Sequence, residues 1–343
     1  MIFIIHIFKK NMALPKVSII IVNYNGKIFL KKCLESLYNI DYDNFEVIVV
    51  DNNSTDDSIE FVTKNYHSIN LIKLDSNMGF AHPNNLASKI SNGEYLLFLN
   101  NDTIVTTDFL NLLIDSATNN IKNGAFQSLL LRSNGDIDSS GDFIDSLGVA
   151  YNSKTKITTK RKIFAARAAC MLIKKSLFLK VGGFDEKFFF SFEDIDLGWR
   201  LWISGYENVI IPNSIVYHIG GSTVNLFKSE SSFHGIKNQL SMKITNFEKK
   251  LVWKNIFLFF VNYGFREIKI WFDYKIHGTT NMKSTKYEDT IASNPNFLMV
   301  LKAIFWLLKN WKYLSRKHNK INSNRILSTK ELEKLGVISN QKQ

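Results

Sequence analysis

The chain has 343 residues, 45% of them hydrophobic and 13% aromatic, with 17 Gly and only 4 Pro, which excludes a disordered or low-complexity polymer. Its length suits two domains, or one large α/β domain with an appendage. The formal net charge of +12 is uneven: residues 245–343 hold 18 Lys and Arg against 7 Asp and Glu, a balance of +11, so basicity belongs to the C-terminal third.

The opening MIFIIHIFKKNM has an apolar run too short to span a bilayer and no cleavage-site pattern, so no signal peptide is expected. Met12 begins MALPKVSIIIVNYNG, which reads straight into a strand. Residues 1–15 are therefore expected to be a tail, the first eleven of them a misassigned start or a floppy extension. Val17–Val22 (VSIIIV) is a β-branched run bounded by Pro15 and by Asn23–Gly26, the pattern of a strand buried on both faces. Helical spacing follows through Ile28, Leu30, Leu34 and Leu37. FEVIVVDNNSTDDS gives a second buried strand ending in Asp51, with a helix from Asp57. LIKL (71–74) leads into the loop and helix of DSNMGFAHPNNLASKI. YLLFLNND (95–102) is a fourth strand, followed by a helix over Thr107–Ala117. Alternation of this kind predicts a Rossmann-like, mainly parallel sheet flanked by helices.

In open α/β sheets ligands sit outside the carboxyl ends of the strands. Those ends here are Asn23–Gly26, Asp51–Ser54, Asp75–Gly79 and Asn100–Asp102, which together define a polar crevice. Neither a GxGxxG nor a GxxxxGK[ST] pattern follows the first strand, so a dinucleotide fold and a P-loop enzyme are unsupported. Asp51 can accept from a base N–H or a ribose hydroxyl, or can simply close an Asx turn. Asp102 at a strand end can carry a hard divalent cation, or can belong to a turn-forming Asn-Asp pair.

From Asp136 to Lys162 the chain is polar, and hairpins with a mobile loop are expected. Order returns in MLIKKSLFLKVGGFDE, a strand, a short helix and a Gly-Gly turn. The stretch FFFSFEDIDLGWR then sets Glu193, Asp194 and Asp196 behind an aromatic run. Acids suit the first turn of a helix, where they face the positive end of its dipole, and that alone could explain them. A helix over Leu197–Ser204 and a strand ending at His218 follow. The Phe188–Phe192 run reads as core more than as a sugar platform. Trp199 fits either role.

The two cysteines, Cys33 and Cys170, form no metal or redox spacing, and a reducing, cytoplasmic setting is expected. Segments 251–272 and 297–317 interleave Lys and Arg with Trp, Phe, Tyr and Leu, and neither holds the roughly 18 uninterrupted apolar residues of a spanning helix. They read as amphipathic helices on an anionic membrane surface, or as helices packed on the preceding domain with a solvated basic face. No nucleic-acid-binding signature accompanies the charge, so nucleic acid is not an expected partner.

Taken together, VSIIIVNYNG, VIVVDNNSTDDS, the NMGFA stretch with its Asn pair, YLLFLNNDT, the GGFDE-to-FEDIDLGWR block and His218–Ser222 resemble glycosyltransferase family 2. More narrowly they resemble its rhamnosyltransferase-like branch of bacterial surface-polysaccharide biosynthesis, over roughly residues 16–240. The resemblance implies a GT-A fold over 16–244, with a nucleotide-donor half to about 125 and an acceptor half after it, followed by a helical basic extension over 245–343. It implies an inverting enzyme moving a sugar, rhamnose favoured, from a dTDP- or UDP-sugar to an oligosaccharide or lipid-linked acceptor on the cytoplasmic face of the inner membrane. Donor binding is implied for Asn23, Asn25, Asp51, Asn53, Asn77, Gly79 and Asn101, with Asp51 on the uracil or thymine. Asp102 and His218 are implied to hold a divalent cation, Mg2+ or Mn2+. Asp194 corresponds to the base, with Glu193 beside it, and Asp196, Trp199 and Arg200 lie on the acceptor side. Two departures stand out: Asn100 where the family often has Asp, and Ala81-His82-Pro83 before the Asn pair. Two other functions remain open on the residues alone. One is a sugar-nucleotide nucleotidyltransferase, which would need a glycine-rich basic loop that NYNGK does not supply; the other is a saccharide-binding protein without turnover.

Overall fold

A computed structural model describes residues 14–118, 122–219, 228–261 and 297–339. The suspected misassigned start, Ser222 of the His218–Ser222 stretch and residues 262–272 of the first basic segment lie outside the described residues.

The first half alternates as its pattern predicts: β1 (Val17–Asn23), α1 (Lys27–Leu37), β2 (Phe45–Asp51), α2 (Ser58–Asn65), β3 (Asn70–Lys73), α3 (Ala81–Ile90), β4 (Tyr95–Leu99), β5 (Thr103–Val105) and α4 (Phe109–Ala117). The β-branched run of β1 is buried on both faces because alternate side chains feed different layers. Val17, Ile19 and Ile21 pack with Leu30 and Leu34 of α1 and Leu113 of α4, whereas Ile20 packs with Ile48, Val50, Phe98 and Ala87 on the other face.

The second half adds β6 (Asn123–Leu131), β7 (Ile137–Ser139), β8 (Asp142–Asp145), β9 (Ala150–Asn152), β10 (Arg161–Lys162), β11 (Cys170–Lys174), α5 (Lys175–Lys180), α6 (Glu193–Ile203) and β12 (Glu207–His218). The main sheet runs β10-β12-β6-β11-β4-β1-β2-β3. Strands β3, β2, β1 and β4 are parallel neighbours. Strand β11 enters antiparallel to both β4 and β6, so the sheet is mixed in its second half. The sheet is thus mainly parallel, as expected; a hydrophobic run records burial but not strand direction, so the place of the antiparallel strand could not be read from the pattern.

Two pairings bring the strand ends together. Asn23 is opposite Asp51 in the β1–β2 ladder. Strand β5 turns back against the end of β12, with Thr103 opposite His218, which carries the Asp102 turn to the histidine.

After β12 come α7 (Lys228–Asn246), α8 (249–261), α9 (Phe297–Lys309), α10 (Trp311–Ser323), α11 (Thr329–Lys334) and β13 (Ile338–Ser339). These helices pack on the catalytic half. Trp199 and Trp202 of α6 share a buried cluster with Leu240, Phe247, Val300, Ala303, Leu314 and Ile338. β13 pairs in parallel with β8, so the chain end returns to the middle of the fold. No described helix is long and apolar enough to cross a membrane.

Candidate active site

The crevice at the ends of β1, β2 and β4 is built from side-chain amides. Asn23, fully buried, donates from Nδ2 to Asp51 Oδ1 at 3.3 Å and to Ser54 Oγ at 3.2 Å, and its Oδ1 accepts from Asn101 Nδ2 at 2.8 Å. Asp51 Oδ2 caps the following turn by accepting from Ser54 N at 2.9 Å. Asn25 and Asn53 both take positive φ, 50° and 66°, a conformation asparagine tolerates better than most side chains. Asn25 Oδ1 accepts from Thr55 N at 2.7 Å, stitching the first crevice loop to the second. Asn52 reaches the third loop, donating to Asn77 Oδ1 at 2.9 Å and to Gly79 O at 2.7 Å. Gly79 has φ +76°, and a Cβ there would lie 2.1 Å from Phe189 O, so only glycine fits against the aromatic run.

Next to the crevice is the histidine centre. His218 Nε2 lies 3.4 Å from Asp102 Oδ1 and 3.3 Å from Asn100 Nδ2, while Nδ1–H donates to Asp138 Oδ2 at 2.8 Å. Burial works to lower the imidazole pKa, but hydrogen bonds and charge from Asp102 and Asp138 win and raise it to about 9. Burial likewise opposes ionisation of Asp138, but the bond from His218 together with the charges of His218, Arg167 and Arg132 outweighs it and holds that carboxyl below its usual range. The donor set suits a divalent cation: a carboxylate oxygen beside an imidazole Nε2, the ring fixed by a carboxylate on its other nitrogen. Among the described residues no group of three or more His, Cys, Asp and Glu could hold a metal.

The three acids of α6 have different fates. Two consecutive residues in left-handed conformation, Ser191 and Phe192, both at φ 69°, swing the chain into the helix. Neither is glycine, so the turn is strained and must be held. Asn238 Nδ2 of α7 donates to Phe190 O and Ser191 O, each at 2.8 Å, and Phe80 N donates to Phe189 O at 2.6 Å. Glu193 is buried with Oε2 lacking a hydrogen-bond partner, and burial, then the charge of Asp194, raises its pKa well above the usual range. Asp194 is the only one of the three with partial solvent access. It accepts from Ile195 N at 2.8 Å and Ala168 N at 3.3 Å. Burial, then the charge of Asp142, lifts it to about 6 against the pull of Arg167. Asp196, fully buried, goes the other way. Burial would raise it, but Arg200 (2.9 Å), Lys317 (3.1 Å) and Asn246 Nδ2 (2.9 Å) lower it to about 2.

Sequence reasoning thus brought together Asn23, Asn25, Asp51, Asn53, Asn77, Gly79 and Asn101 around one crevice, and Asp102 with His218 beside it. It placed Trp199, Arg200 and Asp196 on the acceptor side, where the structure instead builds them into packing. Trp199 has no exposed surface and sits between Phe164 and Phe247, and Arg200 ties Asp196 to the carbonyls of Val181 and Gly183. Their spacing is helical, and the inward face of α6 claims all three. Four residues escaped notice: Asn52, Asp138, Asn238 and Arg167, which grips Asp142 through two bonds of 2.7 and 3.1 Å. Asp138 was hidden in a polar stretch read as hairpins with a mobile loop, and it lies on strand β7, which pairs with β6.

Comparison with known proteins gives the family and the fold. The chain resembles the mannosyltransferase PcManGT from Pyrobaculum calidifontis, solved with GDP-Man and Mn2+, at TM-score 0.55 and 15% identity over 91% of this chain and 87% of that one. At that identity the likeness shows the fold, which is GT-A-like. The profile of the family Glycosyl transferase family 2 matches residues 18–182. The rhamnosyltransferase WbbL of Escherichia coli is 33% identical over 57% of this chain and 80% of its own length. The chain belongs to glycosyltransferase family 2 and is a glycosyltransferase. The N-acetylglucosaminyl-diphospho-decaprenol L-rhamnosyltransferase of Mycobacterium tuberculosis is 24% identical over 58% of this chain and 75% of its own. The O-antigen biosynthesis protein RfbC of Myxococcus xanthus is 31% identical over 60% of this chain, which spans only 17% of that relative's length. These relatives fall in the rhamnosyltransferase-like branch.

Proposed function

We propose that the protein is an inverting transferase that moves a sugar, rhamnose favoured, from a dTDP- or UDP-activated donor to a saccharide or lipid-linked saccharide in cell-surface polysaccharide synthesis. It would work as a peripheral protein on the cytoplasmic face of the inner membrane. The names of the WbbL and mycobacterial relatives support the sugar and the lipid-linked acceptor.

The observation that carries the chemistry is Arg167. Its charge acts on Asp194 and also on Asp138, the carboxylate that holds His218, so the raised acid and the histidine centre belong to one electrostatic site. In this reading Asn23, Asn25, Asp51, Asn53, Asn77, Gly79 and Asn101 shape the donor pocket, and Asp102 and His218 hold Mg2+ or Mn2+. A bound divalent ion supplies positive charge to the diphosphate leaving group. Asp194 accepts the proton of the acceptor hydroxyl as the new bond forms at the anomeric carbon; a positioned base of this kind contributes roughly 10² to 10⁴ in rate. Burial, then the charge of Asp194, raises the Glu193 carboxyl, which disfavours a second negative charge beside the base.

The test is thermal stabilisation by dTDP, UDP and GDP with and without Mn2+, followed by turnover of dTDP-rhamnose. Stabilisation by dTDP or UDP that grows with metal, and transfer lost in Asp194→Asn with nucleotide binding intact, is the expected result. No shift with any nucleotide would overturn the donor site, and unimpaired transfer by Asp194→Asn would overturn the base.

A further inference from the structure

Helices α8 and α9 each bury one face and leave the opposite one apolar. In α9, Val300, Ala303 and Leu307 point into the core shared with α6 and α7. Leu301, Phe305 and Leu308 point away, with Phe305 70% and Leu308 68% exposed. In α8, Val252 is buried while Trp253 and Phe257 are 62% and 67% exposed. The two stripes are continuous: Trp311 follows Leu308 by three residues at the start of α10, and its ring lies 6.0 Å from that of Trp253. Monomeric proteins rarely leave an aromatic patch of this kind to water without a purpose.

Charge says what covers it. Across residues 249–261 and 297–323 there is not one Asp or Glu. Lys302 and Lys309 are exposed and lie about 80–100° round α9 from the stripe, at about 100° per residue, where an ammonium group reaches a surface that the stripe enters. Lys254 stands in the same relation to Trp253, and Lys312 to Trp311. A partner protein surface could match the apolar stripe. A carboxylate-free border of lysines with interfacial tryptophans matches an anionic lipid surface better.

We propose that the Trp253, Phe257, Leu301, Phe305, Leu308 and Trp311 face docks on an anionic bilayer, apolar side chains entering the headgroup boundary and lysines resting on the phosphates. This names the surface behind the membrane placement proposed above and rests on that placement for its setting, but it can be tested apart from transfer. Because α10 is fastened through Lys317 to Asp196 of the acid helix, the docking face is rigidly tied to the helix carrying Asp194.

The full chain is sedimented with phosphatidylcholine vesicles with and without phosphatidylglycerol. Binding to the anionic vesicles alone is expected, falling at least about tenfold in the Phe257→Ser, Phe305→Ser, Leu308→Ser triple variant and in Lys302→Glu, Lys309→Glu, both with the wild-type melting temperature. The exposed positions make misfolding of either variant readable in the melt, and the charge variant leaves the apolar face intact as a second check. Failure of the wild type to bind anionic vesicles, or unchanged binding by both variants, overturns the proposal. So does a wild-type dimer in gel filtration that the triple variant dissolves, since the occupant would then be a second copy. Nucleotide stabilisation, read in the same samples, separates failure of this surface from failure of the donor site.

Discussion

Replacing Asp194, the proposed base, should stabilise the protein while stopping it. Asp194 ordinarily titrates at 3.8 and is raised to about 6 in the fold. The folded state therefore takes up its proton more readily than the unfolded chain does, and holding Asp194 ionised costs stability. The cost is absent well below pH 3.8, grows between about 4 and 6, and is full above about 6; at about 1.4 kcal/mol per unit it reaches about 3 kcal/mol at pH 7 and about half that at pH 5. Asp194→Asn removes the charge and keeps an oxygen that can accept from Ile195 N. Its unfolding free energy in urea should exceed the wild type's by about 2 to 3 kcal/mol at pH 7, with the gain vanishing near pH 4. Over the same range the wild-type transfer rate should climb as pH rises through 6 and level off, because only the carboxylate accepts a proton. A variant less stable than wild type at pH 7, or a gain independent of pH, would refute the electrostatic reading of this site.

Other substitutions probe its supports. Lys317→Met leaves Asp185 without its 2.6 Å cation and Asp196 with Arg200 as its only cation among the described residues, and should cost about 3 kcal/mol in urea unfolding, as broken buried ion pairs do; a loss below about 0.5 kcal/mol would show that these ion pairs do not hold α10. Asn238→Ala frees the strained Ser191-Phe192 turn, and should lower kcat with the donor KM unchanged, at a stability loss of about 1 to 2 kcal/mol. Equal losses in kcat and nucleotide affinity would deny it a positioning role. Asp102→Asn should abolish the extra stabilisation that Mn2+ adds to a nucleoside diphosphate and leave the metal-free increment in place; a retained metal increment would move the cation elsewhere.

Much of this site could be read along the chain because its residues sit where local pattern is strongest. A buried strand that ends in Asn or Asp announces a crevice, and Asn23, Asp51 and Asn101 each close such a run. What could not be read was set by pairing between distant segments. Asp138 meets His218 only because β7 pairs with β6, and the Asp102–His218 contact, which the resemblance implied but no local pattern carries, exists because β5 folds back on the end of β12. The antiparallel entry of β11 has the same cause: Cys170–Lys174 carries the same apolar signature whichever way it runs. The exit of Trp199, Arg200 and Asp196 into the core follows from helical period. From Asp194, positions two, five and six residues on turn away to the face that α7 and α10 cover.

That turn also explains why the acid segment carries three carboxylates rather than one. A lone carboxylate at the start of a buried helix would be held either neutral by its surroundings or ionised by a cation, and neither state suits a base that must gain and lose a proton near neutral pH. Here Lys317 and Arg200 are spent on Asp196, two residues away, which fixes the helix and drops to about 2. Glu193 receives no cation among the described residues, and burial, then the charge of Asp194, raises it. Asp194, facing the partly wet side with Arg167 and Asp142 pulling in opposite senses, is left between them at about 6. The C-terminal helices, far along the sequence from the crevice, therefore enter the electrostatics of the acid segment through Lys317 on Asp196 as well as its packing.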